Sequence, residues 1–150
     1  MSGGNLSDDE LLDLLFAPGA HAGKSASSIA LNDEIVKGLP RKSIDRVKRA
    51  LRLTDPQMAT LLGMSSKSVG RLRKSRQHLL GLNASDRLYR LARVFSCAKQ
   101  VLEDEDLACE WLHAPQVGLG DRVPLDLLVT EVGARQVEDL LGQIEYGVLP

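Results

Sequence analysis

Apolar residues recur along most of this chain at helical spacing, and neither a strong strand pattern nor an internal repeat interrupts them. The first stripe is Leu11, Leu14 and Leu15 in "SDDELLDLLF", where Ser7 and Glu10 have capping-box spacing and place a helix start at Ser7. "APGAHAGKSASS", residues 17–28, is small, Gly-rich and aperiodic, which predicts a linker. "IALNDEIVKGLP" suits a helix or a short strand, and Gly38 and Pro40 end it in either case. From Lys42 the helical period is clear: Ile44, Val47 and Leu51 share one side, with Arg46 and Arg49 on the other.

Beyond the breaker "GLN" at 81–83, Ser85 is placed to cap a long helix that turns Leu88, Leu91, Ala92 and Phe95 to one face. The acidic run "EDED" at 103–106 suits the first turn of a following helix, whose apolar residues are Leu107, Trp111 and Leu112. "APQVGLGDRVP" is a turn-rich connection, and Pro124 fits the first turn of a short helix. A last helix carries Val137, Leu140, Leu141, Ile144 and Val148, with Gly147 as its terminator. These elements predict an all-α protein in three segments: an N-terminal helix and linker over 1–28, a helical domain over 29–83 that holds the motif at 55–74, and a helical domain over 84–150.

Residues 55–74 have the spacing of a helix-turn-helix. Thr54 and Gln57 form a second capping box, and Pro56 occupies the first turn, where its missing amide costs no hydrogen bond. Met58, Ala59, Leu61 and Leu62 face inward on the first helix, and Gly63 permits the left-handed turn. Met64 fills the space beneath that turn, Ser65 caps the second helix, and Val69 and Leu72 pack it back on the first. The small Ala59 sits where the helix backbones approach most closely. The second helix is otherwise basic. In this motif its N-terminal end enters the major groove, so Ser65, Ser66, Lys67 and Arg71 are the candidates for base edges or the nearest phosphates. Lys48, Arg52, Arg73, Lys74 and Arg76 are candidates to hold the DNA backbone. Gly70, near the middle of the second helix's basic face, costs roughly 1 kcal/mol relative to alanine, and it either permits close approach to DNA or is simply tolerated. One such module contacts too little DNA for specificity, which predicts a homodimer on two half-sites.

The formal net charge of −1 conceals a strong segregation. Residues 41–76 hold 11 basic and 2 acidic side chains, while residues 101–150 hold 2 basic and 11 acidic. A middle at +9 and an end at −9 imply two surfaces for two different partners. The composition, 43% apolar and 26% charged, is that of a globular protein and excludes a disordered chain. No apolar run approaches the ~20 residues of a membrane span, and the acidic N-terminus does not resemble a signal peptide. Cys97 and Cys109 lack metal-site spacing and are expected as reduced, buried thiols of a cytoplasmic protein. His21, His78 and His113 are scattered, so no metal or cofactor is expected. No nucleophile, base or phosphate-loop motif points to an enzyme.

The stretch 108–150 resembles the C-terminal domain shared by the Xre, MbcA and ParS antitoxins. The matching residues are Trp111-Leu112, Pro115, Leu119-Gly120, Arg122 and Pro124-Leu125-Asp126-Leu127-Leu128, then Gly133, Val137, Leu140, Ile144-Glu145 and Gly147-Val148. With the helix-turn-helix upstream, the resemblance covers residues from about 30 to 150. Two positions depart from it: Gln116 replaces a common Asn, and Asp121 a common Gly. The resemblance implies the antitoxin of a type II toxin–antitoxin pair whose partner is a RES-domain toxin that degrades NAD⁺. In such pairs the last helix and tail obstruct the toxin's NAD⁺ site, here Gln143, Ile144, Glu145, Tyr146, Gly147, Val148, Leu149 and Pro150. It also implies repression of the protein's own operon through operator DNA. The residues alone leave an alternative open, a stand-alone dimeric repressor whose acidic half dimerises or senses a ligand.

Overall fold

The computed structural model describes residues 6–16 and 28–147; the expected linker up to residue 27, and the tail residues Val148, Leu149 and Pro150, lie outside them. Among the described residues the structure is helical, with two isolated antiparallel bridges and no strand. The all-α expectation holds. The chain forms two compact units, one ending at Ala92 and the other starting at Arg93.

The first unit contains α1 (Leu6–Leu15), α2 (Ser28–Lys37), α3 (Ser43–Ala50), α4 (Asp55–Leu62), α5 (Ser66–Lys74) and the first half of α6 (Leu82–Leu102). Helix α1 starts at Leu6, so Ser7 lies within its first turn and not at its cap; the Ser7 side chain is outside the described residues. Leu11, Leu12, Leu15 and Phe16 are buried, and α1 packs against α3. The stripe Ile44, Val47 and Leu51 is buried as its spacing requires. Arg46 is not on an open outer face. Its Nε donates to the Leu14 carbonyl at 3.2 Å and its Nη2 to the Leu15 carbonyl at 3.3 Å, while the Ser43 hydroxyl also donates to Leu15. These donors satisfy carbonyls that the end of α1 leaves without helical partners, and a cation there complements the dipole.

The ambiguous segment at 29–40 is helix through Lys37. After it, Pro40 and Leu79 form an antiparallel bridge, with the Leu80 amide donating to the Leu39 carbonyl at 2.8 Å. Ser85 is not a cap. Helix α6 already begins at Leu82, and Ser85 is fully buried with its Oγ accepting the Leu39 amide at 2.9 Å. A buried backbone N–H without a partner is costly, and Leu39 obtains its acceptor from a side chain far along the chain. The division between the units falls inside unbroken α6, after Ala92, rather than at Gly81–Asn83.

The second unit holds the rest of α6, then α7 (Glu105–His113), a 3-10 turn (Val117–Leu119), α8 (Pro124–Leu127) and α9 (Glu131–Glu145). Asp104 caps α7 by accepting the Leu107 amide at 2.9 Å, and Glu105 and Asp106 fill the first turn as expected. The inward face of α7 is Ala108, Cys109 and Leu112, whereas Leu107 is exposed and Trp111 only half-buried. The helix is therefore rotated away from the stripe that its sequence suggests. Cys109 is buried as expected; Cys97 is half-buried, and neither forms a disulfide. Burial and the nearby Glu138 and Glu145 carboxylates push the Cys97 thiol up to about 11.

Pro124 opens α8 as predicted. The two departures in the preceding turn have structural roles. Gln116 Nε2 donates to the Trp111 and Ala114 carbonyls at 2.9 and 3.1 Å. Asp121 takes the left-handed conformation, φ 63°, which glycine adopts freely and aspartate tolerates. Thr130 caps α9, its Oγ1 accepting the Gly133 amide at 3.0 Å, and the helix buries Ala134, Val137, Leu140 and Leu141. A Cβ on Gly133 would overlap the Leu127 carbonyl, so the end of α8 packs directly on bare α9 backbone. Arg93 of α6 donates to Glu138 at 2.9 and 3.1 Å and to Glu131 at 3.0 Å, a bidentate pair and a second contact joining α6 to α9.

Candidate functional site

The helix-turn-helix is built by local signals that act in sequence. Thr54 Oγ1 accepts the Gln57 amide at 3.2 Å, and Gln57 Oε1 accepts the Thr54 amide at 2.8 Å, completing the capping box of α4. Gly63 ends α4 in the left-handed conformation, φ 69°. The Arg87 side chain lies against its Cα so closely that a Cβ would meet Nη1 at 2.7 Å. Ser65 is extended, and its Oγ accepts the Ser68 amide at 3.1 Å to start α5. Ala59 and Val69 are each 3% exposed, which seats α5 against α4. Met64 and Leu72 are half-buried at the edge of this packing.

With Val69 turned inward, the other side of α5 faces solvent. Ser66, Lys67, Arg71 and Lys74 are exposed on α5, and Arg76 is exposed just beyond it. Arg71 Nη2 also lies 3.4 Å from Ser68 Oγ. Ser65 is exposed too, but its hydroxyl is occupied with capping and with Ser68 Oγ at 2.9 Å. Arg52 is exposed after α3, in the left-handed conformation with φ 54°.

Lys48 and Arg73 have a different setting. Lys48 Nζ is 3.0 Å from Asp55 Oδ1, while Arg73 Nη1 is 3.3 Å from the same oxygen and its Nη2 2.7 Å from Asp45 Oδ1. The Lys48 hydrogen bond and charge, then the Arg73 charge, hold the Asp55 carboxyl below the usual carboxylate range. This cluster joins α3, α4 and α5, and sequence reasoning missed its acids. The available signal was that Asp45 and Asp55 are the two acidic residues among 41–76, with Asp55 in the first turn of its helix.

In the second unit the candidate residues cluster at the end of α9. Gln143, Glu145 and Gly147 are exposed, Ile144 is half-buried, and Tyr146 is 80% exposed. Gln143 also borders an open cleft of about 340 Å³ whose walls include Arg122, Leu127, Gln136 and Asp139. Among the described residues there is no cluster of metal-ligating side chains, and no helix is long and apolar enough to cross a membrane.

Known proteins match both units in the same order. Residues 30–93 match the antitoxin Xre-like helix-turn-helix domain, and residues 97–147 match the antitoxin Xre/MbcA/ParS C-terminal toxin-binding domain. An antitoxin Xre of Photorhabdus laumondii is 31% identical over 126 residues, which cover 83% of this chain and 84% of that protein. One from Yersinia enterocolitica is 33% identical over 119 residues, covering 79% and 80%. The fold is similar to a chain of the M. tuberculosis MbcT–MbcA toxin–antitoxin complex, with TM-score 0.53 and 25% identity over 73% of this chain and 96% of that one. The chain therefore belongs to the Xre antitoxin family, a helix-turn-helix antitoxin of a toxin–antitoxin system.

Proposed function

We propose that this antitoxin acts in the cytoplasm at two surfaces without chemistry of its own. Its α9 end and tail, Gln143 to Pro150, press against a RES-domain toxin and obstruct the toxin's NAD⁺ site. Its α5 face enters the operator major groove of its own operon as part of a homodimer. The observation that carries this reading is the separation of two exposed surfaces onto two compact units. One is the cationic face Lys67, Arg71 and Lys74; the other is the exposed end of α9 with Tyr146. The match of residues 97–147 to a toxin-binding domain supports the second surface, as does the fold shared with a toxin–antitoxin complex. The RES identity and NAD⁺ substrate rest on the family resemblance.

The charge of each half suits its partner. Lys67, Arg71 and Lys74 release counterions when they neutralise phosphates. The −9 of residues 101–150 complements a toxin pocket built to receive a dinucleotide's phosphates. Tyr146, which buries almost nothing in the isolated chain, then serves as an aromatic anchor. Deleting residues 144–150 tests the division of labour. The truncated protein should still bind operator DNA but fail to rescue cells that express the cognate toxin; growth rescue by the truncated protein would rule out the tail mechanism.

A further inference from the structure

Gly70 sits in the middle of α5, and nothing in the fold calls for a glycine there. Its backbone is ordinary right-handed helix, and a methyl group at its Cα would meet no atom within 4 Å. Gly63, by contrast, serves a left-handed turn, and Gly133 accommodates a carbonyl. Glycine is a poor helix former because it loses the most backbone freedom on folding. Gly142 on α9 is just as uncrowded, so open space by itself decides nothing; Gly70 differs in lying among the cations of α5, which points to something outside the chain.

The neighbours of any helical residue lie three and four positions away on the surface. For Gly70 these are Ser66, Lys67, Arg73 and Lys74. A bare patch of backbone is thus rimmed by a hydroxyl and three cations, of which Arg73 is turned toward Asp45 and Asp55. No apolar side chain borders it, so the rim fits a sugar–phosphate strand better than a protein surface. We infer that Gly70 is the point of closest approach between α5 and a DNA duplex. The strand packs on the helix backbone at this notch, Lys67 and Lys74 neutralise phosphates beside it, and Ser66 donates from the preceding turn. A Cβ at this position holds the strand away and lengthens all of these contacts together. The inference rests on the duplex binding proposed above and specifies where it is tightest.

The test uses the full chain with Gly70→Ala and Gly70→Leu, and Arg71→Ala for comparison. Each protein is measured for thermal unfolding and for affinity to a duplex that the wild type selects from a randomised pool. Both Gly70 variants should melt above the wild type, since both residues are better helix formers. Affinity should fall about tenfold with alanine and further with leucine, the scale of a lost groove contact. Higher melting with unchanged affinity overturns the inference while leaving duplex binding in place. Lower melting in Gly70→Ala overturns it as well, because the glycine would then be serving the fold. If the wild type retains no duplex even at low salt, duplex binding itself fails and the notch loses its ligand, a result separate from the other two.

Discussion

Arg73 on α5 and Asp45 on α3 form a 2.7 Å ion pair, so a cation of the proposed DNA-facing helix is held by the helix that precedes the motif. Asp55 makes the second contact to Arg73 and also holds Lys48. All four side chains are partly exposed, and pairs of this kind contribute little to stability. They do link α5 to α3 and to the start of α4.

That pairing separates two cations that look equivalent in the sequence. Lys74 is exposed on α5, and replacing it with alanine should lower the salt dependence of the proposed operator binding by about one counterion. Arg73→Ala should lower the slope by clearly less, because Asp45 and Asp55 already offset its charge. Fluorescence titrations of operator DNA across a range of salt concentrations measure both slopes. Equal decrements for the two variants would show that Arg73 leaves its acids for a phosphate when DNA binds.

Asp55 links the same cluster to pH. Its folded pKa is depressed, with Lys48 as the largest cause, so it contributes stability that is present above the unfolded value of about 3.9. That contribution disappears as pH falls through the lower folded value. The melting temperature of the wild type should therefore exceed that of Asp55→Asn at neutral pH, with the gap narrowing only below about pH 4. Melting curves at stepped pH follow the gap directly. A gap that stays constant into strong acid would mean that the substitution acts through the capped helix start and not through the carboxylate's charge.

The elements legible in the sequence were those specified by adjacent residues. The Thr54–Gln57 box, the Gly63 turn, the Ser65 cap and Pro124 each act within a few positions, and each takes the expected form. The misreadings involve partners distant in sequence. Ser85 resembles a cap, but its hydroxyl serves the Leu39 amide, and Arg46 resembles a solvent-facing residue but closes the end of α1. On α7 the inward residues are Ala108, Cys109 and Leu112, set by packing within the second unit, in place of a stripe through Leu107 and Trp111. The exposed cations of α5 follow from one inward residue, Val69, whereas the charge balance of Lys48 and Arg73 depends on acids that only folding brings to them.

Two glycines on α9 give opposite expectations for the same change. At Gly133 a Cβ would overlap the Leu127 carbonyl, which is fixed backbone and cannot rotate away as a side chain could. Alanine there gains about 1 kcal/mol of helix propensity but forces α8 and α9 apart, an overpacking that typically costs about 1–3 kcal/mol. The clash should dominate, and Gly133→Ala should lower the melting temperature. Gly142 lies farther along the same helix with open space around its Cα, so Gly142→Ala should raise stability by up to about 1 kcal/mol. Chemical denaturation of both variants compares the effects under one condition. A stabilised Gly133→Ala would mean that α8 yields easily, and that the bare backbone of α9 does not hold it in place.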